Sequence, residues 1–210
     1  MKLHILLIFI SSLLSCTKEI KKLPVYGRNE ITKKVLNGEI IIDTINHSIK
    51  NFSFYNQDST KITRDTFDNA IYVADFFFTT CPTICPIMQN NLLLVYNEFS
   101  ENKNVKYLSH TINPEYDNTK TLKKYAERLG VSSDRWHFVT GEIEDIYKIA
   151  KDSYMISALE DENEPGGFLH SGTFLLIDTN KNIRGIYDGT SEAEMSRLMS
   201  DIKILLKSIS

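Results

Sequence analysis

Cysteine is scarce in this chain of 210 residues, with only Cys16, Cys81 and Cys85. Three cysteines cannot make a disulfide scaffold, and an odd number asks what each one does. Charge of one sign is also missing: 24 Lys and Arg face 27 Asp and Glu, for a formal net charge of −3. That balance excludes a strongly basic nucleic-acid binder, a polybasic membrane patch and an acidic tail. After the first residues no apolar run approaches the length of a membrane span, and no internal repeat or low-complexity tract is seen. What is present, 42% hydrophobic and 24% charged residues, fits one ordinary globular domain with a sizeable core.

The first cysteine reads as an address. Lys2 supplies a positive start, Ile5 to Leu14 is almost wholly apolar, and small Ser15 precedes Cys16. The apolar run suits a signal peptide and is too short to span a bilayer as a helix. Leu13-Leu14-Ser15-Cys16 resembles a bacterial lipoprotein box, although Leu14 is not the small residue most often found there. In that reading residues 1–15 are removed, Cys16 carries the lipid, and loss of Lys2 moves the formal charge from −3 to −4. Residues 16–37 form anchor and tether, and 38–210 form the folded domain, held outside the cytoplasm at the membrane of a bacterial cell envelope.

Along the domain, Glu39–Asp43 and Phe52–Phe54 read as short strands joined by a polar turn. Ile71 to Phe78 is a continuous β-branched and aromatic run, the mark of a strand buried on both faces. Ile84, Met88, Asn91, Leu92, Val95 and Phe99 recur at helical spacing. Further strands are expected at 104–110, 136–140, 172–178 and 183–188, the last two joined by a turn at Asn180-Lys181-Asn182. Helices are expected around Leu122–Leu129, closed by Gly130, around Ile143–Ala150, and from Ser191, with Glu194 completing a capping box. The order β-β-β-α-β-α-β-α-β-β-α predicts an α/β protein. Its central mixed sheet is flanked by helices on both faces, a thioredoxin-like fold with extra N-terminal strands.

The chemistry concentrates in Thr79-Thr80-Cys81-Pro82-Thr83-Ile84-Cys85-Pro86, between the buried strand and a helix. If the helix includes both positions, the spacing puts both sulfurs on one face, with Pro82 as its first residue. Helix N-terminal amides then favour thiolates. Such a pair can exchange with a disulfide or grip a soft metal ion. A structural disulfide there would close too small a loop to constrain the unfolded chain much. The best third ligand is His170, in Pro165-Gly166-Gly167-Phe168-Leu169-His170-Ser171, a turn expected beside the helix start. Two Cys and one neutral His suit three-coordinate Cu(I), whereas tetrahedral Zn²⁺ wants a fourth ligand. His110 sits at a strand end and could approach the site, but reads better as a structural histidine. His137 reads as core or surface, His47 earns no role, and Met88 belongs to the core stripe. Asp161-Glu162-Asn163-Glu164 reads as a solvated acidic loop.

From roughly Ile49 onward the chain resembles the Sco/SenC family of copper-binding, thioredoxin-like proteins of cytochrome c oxidase assembly. Phe76-Phe77-Phe78-Thr79-Thr80-Cys81-Pro82-Thr83-Ile84-Cys85-Pro86 is similar to its Cys-Pro-x-x-Cys-Pro signature, and Leu169-His170-Ser171 to its histidine motif. Ser109 to Asp117 is similar to its Asp-Pro-Glu-x-Asp stretch, and Trp136 to Gly141 to its Trp-x-x-x-Thr-Gly stretch. Asn113 stands where the family usually has Asp, and Leu169 where many members have Asp before the histidine. The resemblance implies that Cys81, Cys85 and His170 bind copper for the copper-accepting subunit of the oxidase. The expected protein is a monomeric metallochaperone. The alternative is a thiol–disulfide oxidoreductase acting on the oxidase's cysteines or another exported protein. A peroxidase lacks its signature here.

Overall fold

The structure is a computed structural model that describes residues 22–160 and 168–209. Cys16, the apolar leader and Asp161–Gly167 lie outside the described residues. The chain opens with an antiparallel hairpin, β1 (Glu30–Leu36) and β2 (Glu39–Ile45). There follow β3 (Ser53–Asn56), β4 (Lys61–Thr63), a 3-10 turn (Arg64–Phe67) and β5 (Ile71–Phe77). Then come α1 (Ile84–Glu98), β6 (Val105–Thr111), α2 (Thr119–Leu129), β7 (Trp136–Thr140) and α3 (Ile143–Asp152). The last elements are β8 (Ala158–Glu160), β9 (Phe168–His170), β10 (Thr173–Ile177), β11 (Ile183–Asp188) and α4 (Glu192–Leu206).

The main sheet has seven strands in the order β11-β10-β5-β6-β7-β3-β4. Strands β5, β6 and β7 run parallel, and the others add antiparallel at both sides. This is the expected mixed sheet. All seven residues of β5 are buried, as an apolar run in a central strand should be. Because successive side chains point to opposite faces, neighbours on β5 report what covers each side. Phe76 meets Tyr154, just after α3, with ring centroids 5.5 Å apart, and Phe77 meets Tyr125 of α2 at 5.3 Å. Asp75 shares the Phe77 side and accepts a hydrogen bond from Gln89 Nε2 of α1 at 2.8 Å. Helices therefore cover both faces, with α1 and α2 on the side that carries the chemistry.

Four strands were not expected: β1, β4, β8 and β9. The segment read as tether up to Asn37 thus contains β1. The partner of β2 is β1 rather than the Phe52–Phe54 strand, which pairs with β4 and β7. Gly130 does close α2 in the left-handed region, at φ 71. Ser191 does precede α4, but makes no side-chain cap. Glu194 instead takes Arg197 one turn on as its ion-pair partner, so the capping box does not form.

Candidate metal and redox site

Helix α1 begins at Ile84, three residues after Cys81. Pro82 disfavours helical backbone at Cys81, the residue before it, and Thr83 is the non-helical N-cap at φ −119 and ψ −92. Cys81 therefore lies in the turn, its N–H donating to the Phe78 carbonyl at 3.2 Å, and Cys85 is the second residue of the helix. The expectation that both sulfurs sit on one helical face, with Pro82 as first residue, is corrected. Pro86 is the proline in the first turn, where its missing N–H costs little.

The two sulfurs nevertheless meet. Both residues are thiols, buried at 7% and 2% exposure, and the Cys81 side chain hydrogen-bonds Cys85. That hydrogen bond, followed by burial, pushes the Cys85 thiol well above the ordinary thiol range, and the Asp75 charge adds to the shift. The expected pair of low-pKa thiolates is corrected for Cys85, which is held protonated. The Phe78 backbone acts the other way, too weakly to reverse it. Cys81 Sγ also lies 3.7 Å from Thr83 Oγ1. The pair opens onto a cleft of about 370 Å³ lined by Thr79, Pro86, Asn90 and, from α2, Tyr125, Arg128 and Leu129.

Two carboxylates frame this turn. Asp117, fully buried, accepts from the Thr79 N–H at 2.9 Å and the Thr111 hydroxyl at 2.6 Å, and also binds the Thr79 hydroxyl. One residue of the Asp-Pro-Glu-x-Asp-like stretch thus ties the start of the cysteine turn to the end of β6. Asn113, where the family usually has Asp, caps the same corner: its N–H donates to Thr111 Oγ1, and its carbonyl accepts from the Asp117 N–H. Asp75, also fully buried, accepts from Ser109 Oγ at 2.5 Å as well as from Gln89. Sequence reading gave neither Asp75 nor Asp117 a role. The signal for Asp75 was a lone carboxylate inside the apolar run IYVADFFF, which burial must either pair or use.

His170 ends the short strand β9, whose backbone pairs with Ala158 of β8, so it belongs to a hairpin strand rather than a loop. Its segment lies where expected. Phe168 packs on Phe78, ring centroids 5.1 Å apart, and a Cβ on Gly172 would lie 3.5 Å from Ile84 Cδ1 and 4.0 Å from Met88 Sδ. Residues on both sides of His170 therefore contact the cysteine turn and the start of α1. Among the described residues no group of three or more His, Cys, Asp and Glu side chains forms a ready metal cage.

The other histidines separate cleanly from this site. His110 is fully buried, stacked on Phe76 with centroids 4.6 Å apart, and edge-on to Phe54 and Tyr154. Burial lowers its pKa to about 3, so it stays neutral inside an aromatic cluster. His137 is also core, its pKa lowered by burial to about 4, with Nδ1 3.3 Å from Asn56 Nδ2. His47 Nε2 lies 2.7 Å from the Ser153 carbonyl oxygen. Met88 is fully buried in the core.

Fold and site together define a class: a thioredoxin-like α/β protein with a thiol pair where the central strand turns into its helix. The SCO1/SenC family model matches residues 43–207, and the chain belongs to that family. A SCO1/SenC family lipoprotein from Bacillus anthracis is 30% identical with a TM-score of 0.71, over 76% of this chain and 95% of that one. BsSco is described as a member of the Sco family of cytochrome c oxidase assembly proteins with a disulfide switch. It is 29% identical with a TM-score of 0.67, over 76% and 93%. Arabidopsis thaliana ScoI with copper bound shares the fold, with a TM-score of 0.63 at 23% identity, over 75% and 98%.

Proposed function

We propose that the chain is a copper metallochaperone. Cu(I) is held by the sulfurs of Cys81 and Cys85 and by one ring nitrogen of His170, then passes by ligand exchange to the copper-accepting subunit of a cytochrome c oxidase. The observation that carries this reading is the contact between two cysteine side chains at the rim of a cleft, with the His170 segment packed on the same turn. Two soft sulfurs and an imidazole are the donors that Cu(I) selects. Loading displaces the protons that the thiols carry. An under-coordinated ion beside an open cleft can be reached by an incoming ligand. The relatives fit: one is an oxidase assembly protein, and a fold neighbour holds copper.

The address follows the same logic. Cys16 carries a lipid, as the lipoprotein from Bacillus anthracis suggests by its description, and the domain works as a monomer outside the cytoplasm. The attachment in this reading is the lipid at Cys16; among the described residues no helix is long and apolar enough to cross a membrane. The test is competitive titration of the reduced protein with a Cu(I) chelator. One equivalent binds tightly to the wild type, and Cys81→Ala and Cys85→Ala each abolish tight binding. Undiminished binding in both variants overturns the site.

The contact between the sulfurs also favours a second reading, thiol–disulfide exchange. The Cys81 thiolate attacks a target disulfide, releasing one target thiolate and forming a mixed disulfide. Cys85, losing its proton to the departing sulfur, then displaces the second target sulfur as a thiol, leaving Cys81–Cys85 oxidised and the target reduced by two electrons. Under this reading His170→Ala keeps disulfide exchange and loses tight copper binding.

A further inference from the structure

The β1–β2 hairpin is amphipathic in an unusual place. Directly paired residues share a face, so the register Ile31↔Thr44, Lys33↔Ile42 and Val35↔Ile40 sets one side. The other side is mainly polar, with Glu30, Thr32, Lys34, Glu39 and Asp43 beside Leu36, Ile41 and Ile45, and with Lys34 and Asp43 ion-paired across the strands. On the first side Ile31, Val35, Ile40 and Ile42 are 70%, 71%, 69% and 64% exposed. No residue of either strand is buried, and neither strand joins the main sheet. A two-stranded ribbon is marginal alone, and a contiguous apolar face marks a contact surface. The family match begins at Asp43, so β1 and most of β2 lie outside it.

We propose that this face rests on the lipid bilayer, at the boundary between headgroups and acyl chains; the proposal relies on the reading of Cys16 as the lipid anchor. Three observations favour lipid. The first is reach. Only residues 16–21 separate the anchor from the described chain, about 20 Å when fully extended. Beyond them Leu23 is already packed on the body, with Arg184 bonded to the Leu23 and Pro24 carbonyls and the Tyr26 N–H donating to the Ile183 carbonyl at 2.9 Å. The hairpin leaves just after this clamp, its base held by the His47 N–H on Asn29 Oδ1 and by the close approach of Gly27 to His47. It therefore works close to the headgroups.

The second observation is charge. Residues 16–29, which lead from the anchor into the hairpin, carry four Lys and Arg against one Glu; residues 30–45 carry two against three, and residues 46–210 carry 17 against 23. The anchor end is the basic end of an acidic protein, suited to anionic lipid. Lys33 lies within the apolar face, where its stem can follow the apolar surface while its ammonium reaches headgroups. The third is area. Seven residue pairs make a face of roughly 23 by 10 Å, so two copies face to face would bury roughly 500 Å². That is well short of the ~1,200 Å² of a stable protein interface. A bilayer needs no such area, because the lipid anchor keeps the hairpin at high local concentration.

The test uses the chain from residue 17 onward with an N-terminal hexahistidine, held on nickel-chelating vesicles of phosphatidylcholine and phosphatidylglycerol, with or without brominated acyl chains. Trp136, the single tryptophan, is fully buried and gives a constant background. With Ile40→Trp, on the proposed lipid face, emission shifts to the blue on vesicles and is quenched by bromine. With Ile41→Trp, on the opposite face, it does neither. Equal quenching of both, or of neither, overturns the proposal. A dimer in solution that Ile40→Ser abolishes, without quenching on vesicles, gives the face to a second copy and overturns it too. Because the nickel tether replaces the natural one, the Cys16 reading is checked separately by labelled palmitate on the full chain expressed in a bacterium. Missing label with quenching retained overturns the anchor and leaves the lipid affinity of the hairpin standing.

Discussion

Strand β5 and the β1–β2 hairpin are built from similar residues and meet opposite fates. Both are rich in isoleucine, valine or other strand formers. All of β5 is buried and none of the hairpin is. The difference lies in partners. β5 is hydrogen-bonded on both edges, to β10 and β6, and covered on both faces. In the hairpin each strand pairs only with the other, and its apolar face is exposed among the described residues. Burial in β5 rigidifies the platform that presents Cys81 and Cys85, whereas exposure in the hairpin leaves apolar surface for a contact outside the fold. A similar composition thus serves stability in one place and attachment in the other.

The largest effect expected from this contrast is on the buried side. Phe76→Ala, which removes a ring packed on both His110 and Tyr154, should cost about 3–5 kcal/mol in urea unfolding. A cost below about 1 kcal/mol would show that the aromatic layer is not the core of the platform. Asp117→Ala comes next, at about 2–3 kcal/mol, since it strands the Thr79 N–H and the Thr111 hydroxyl. Its more informative readout is faster copper release, which the asparagine variant should partly restore.

The pH dependence is smaller per unit but has a definite sign. His110 is neutral when folded, with a pKa lowered to about 3, and titrates near 6.5 when unfolded. Between these values the unfolded chain binds the extra proton. Its contribution is therefore complete above about pH 6.5 and is lost as pH falls toward 3, at about 1.4 kcal/mol per pH unit. Denaturant midpoints measured against pH should carry this slope together with a like one from His137 above about pH 4, and His110→Phe should remove the His110 share. The smallest effect belongs to the hairpin: Ile40→Ser should change stability by less than about 0.5 kcal/mol. A loss of several kcal/mol would mean that the hairpin face packs on the domain after all.

Most of the platform was legible because its signals are strong. A continuous apolar run at 71–78 and helical stripes after it leave little choice of period. β1 was missed although Asn37-Gly38 is among the clearest hairpin turns a sequence can carry; both residues take positive φ, 54 and 85. The surrounding Lys33, Lys34 and Glu39 masked the alternation of Ile31 and Val35. β4, β8 and β9 are three-residue strands, too short for any period to show. At the site, the cysteine pair and the His170 segment could be read from spacing and resemblance. Pro82 keeps Cys81 out of the helix, a local rule that the four-residue spacing obscured. The raised Cys85 pKa depends on which neighbours touch, which no linear pattern reveals. Asp75 and Asp117 acquire their roles from Gln89, Ser109, Thr79 and Thr111, all distant in sequence or hidden by the fold.

X-ray absorption at the copper edge of the Cu(I)-loaded protein tests the central claim most directly. The account predicts two sulfur ligands and one nitrogen, with the nitrogen lost in His170→Ala. A spectrum without sulfur, or one in which the nitrogen survives the loss of His170, would contradict it.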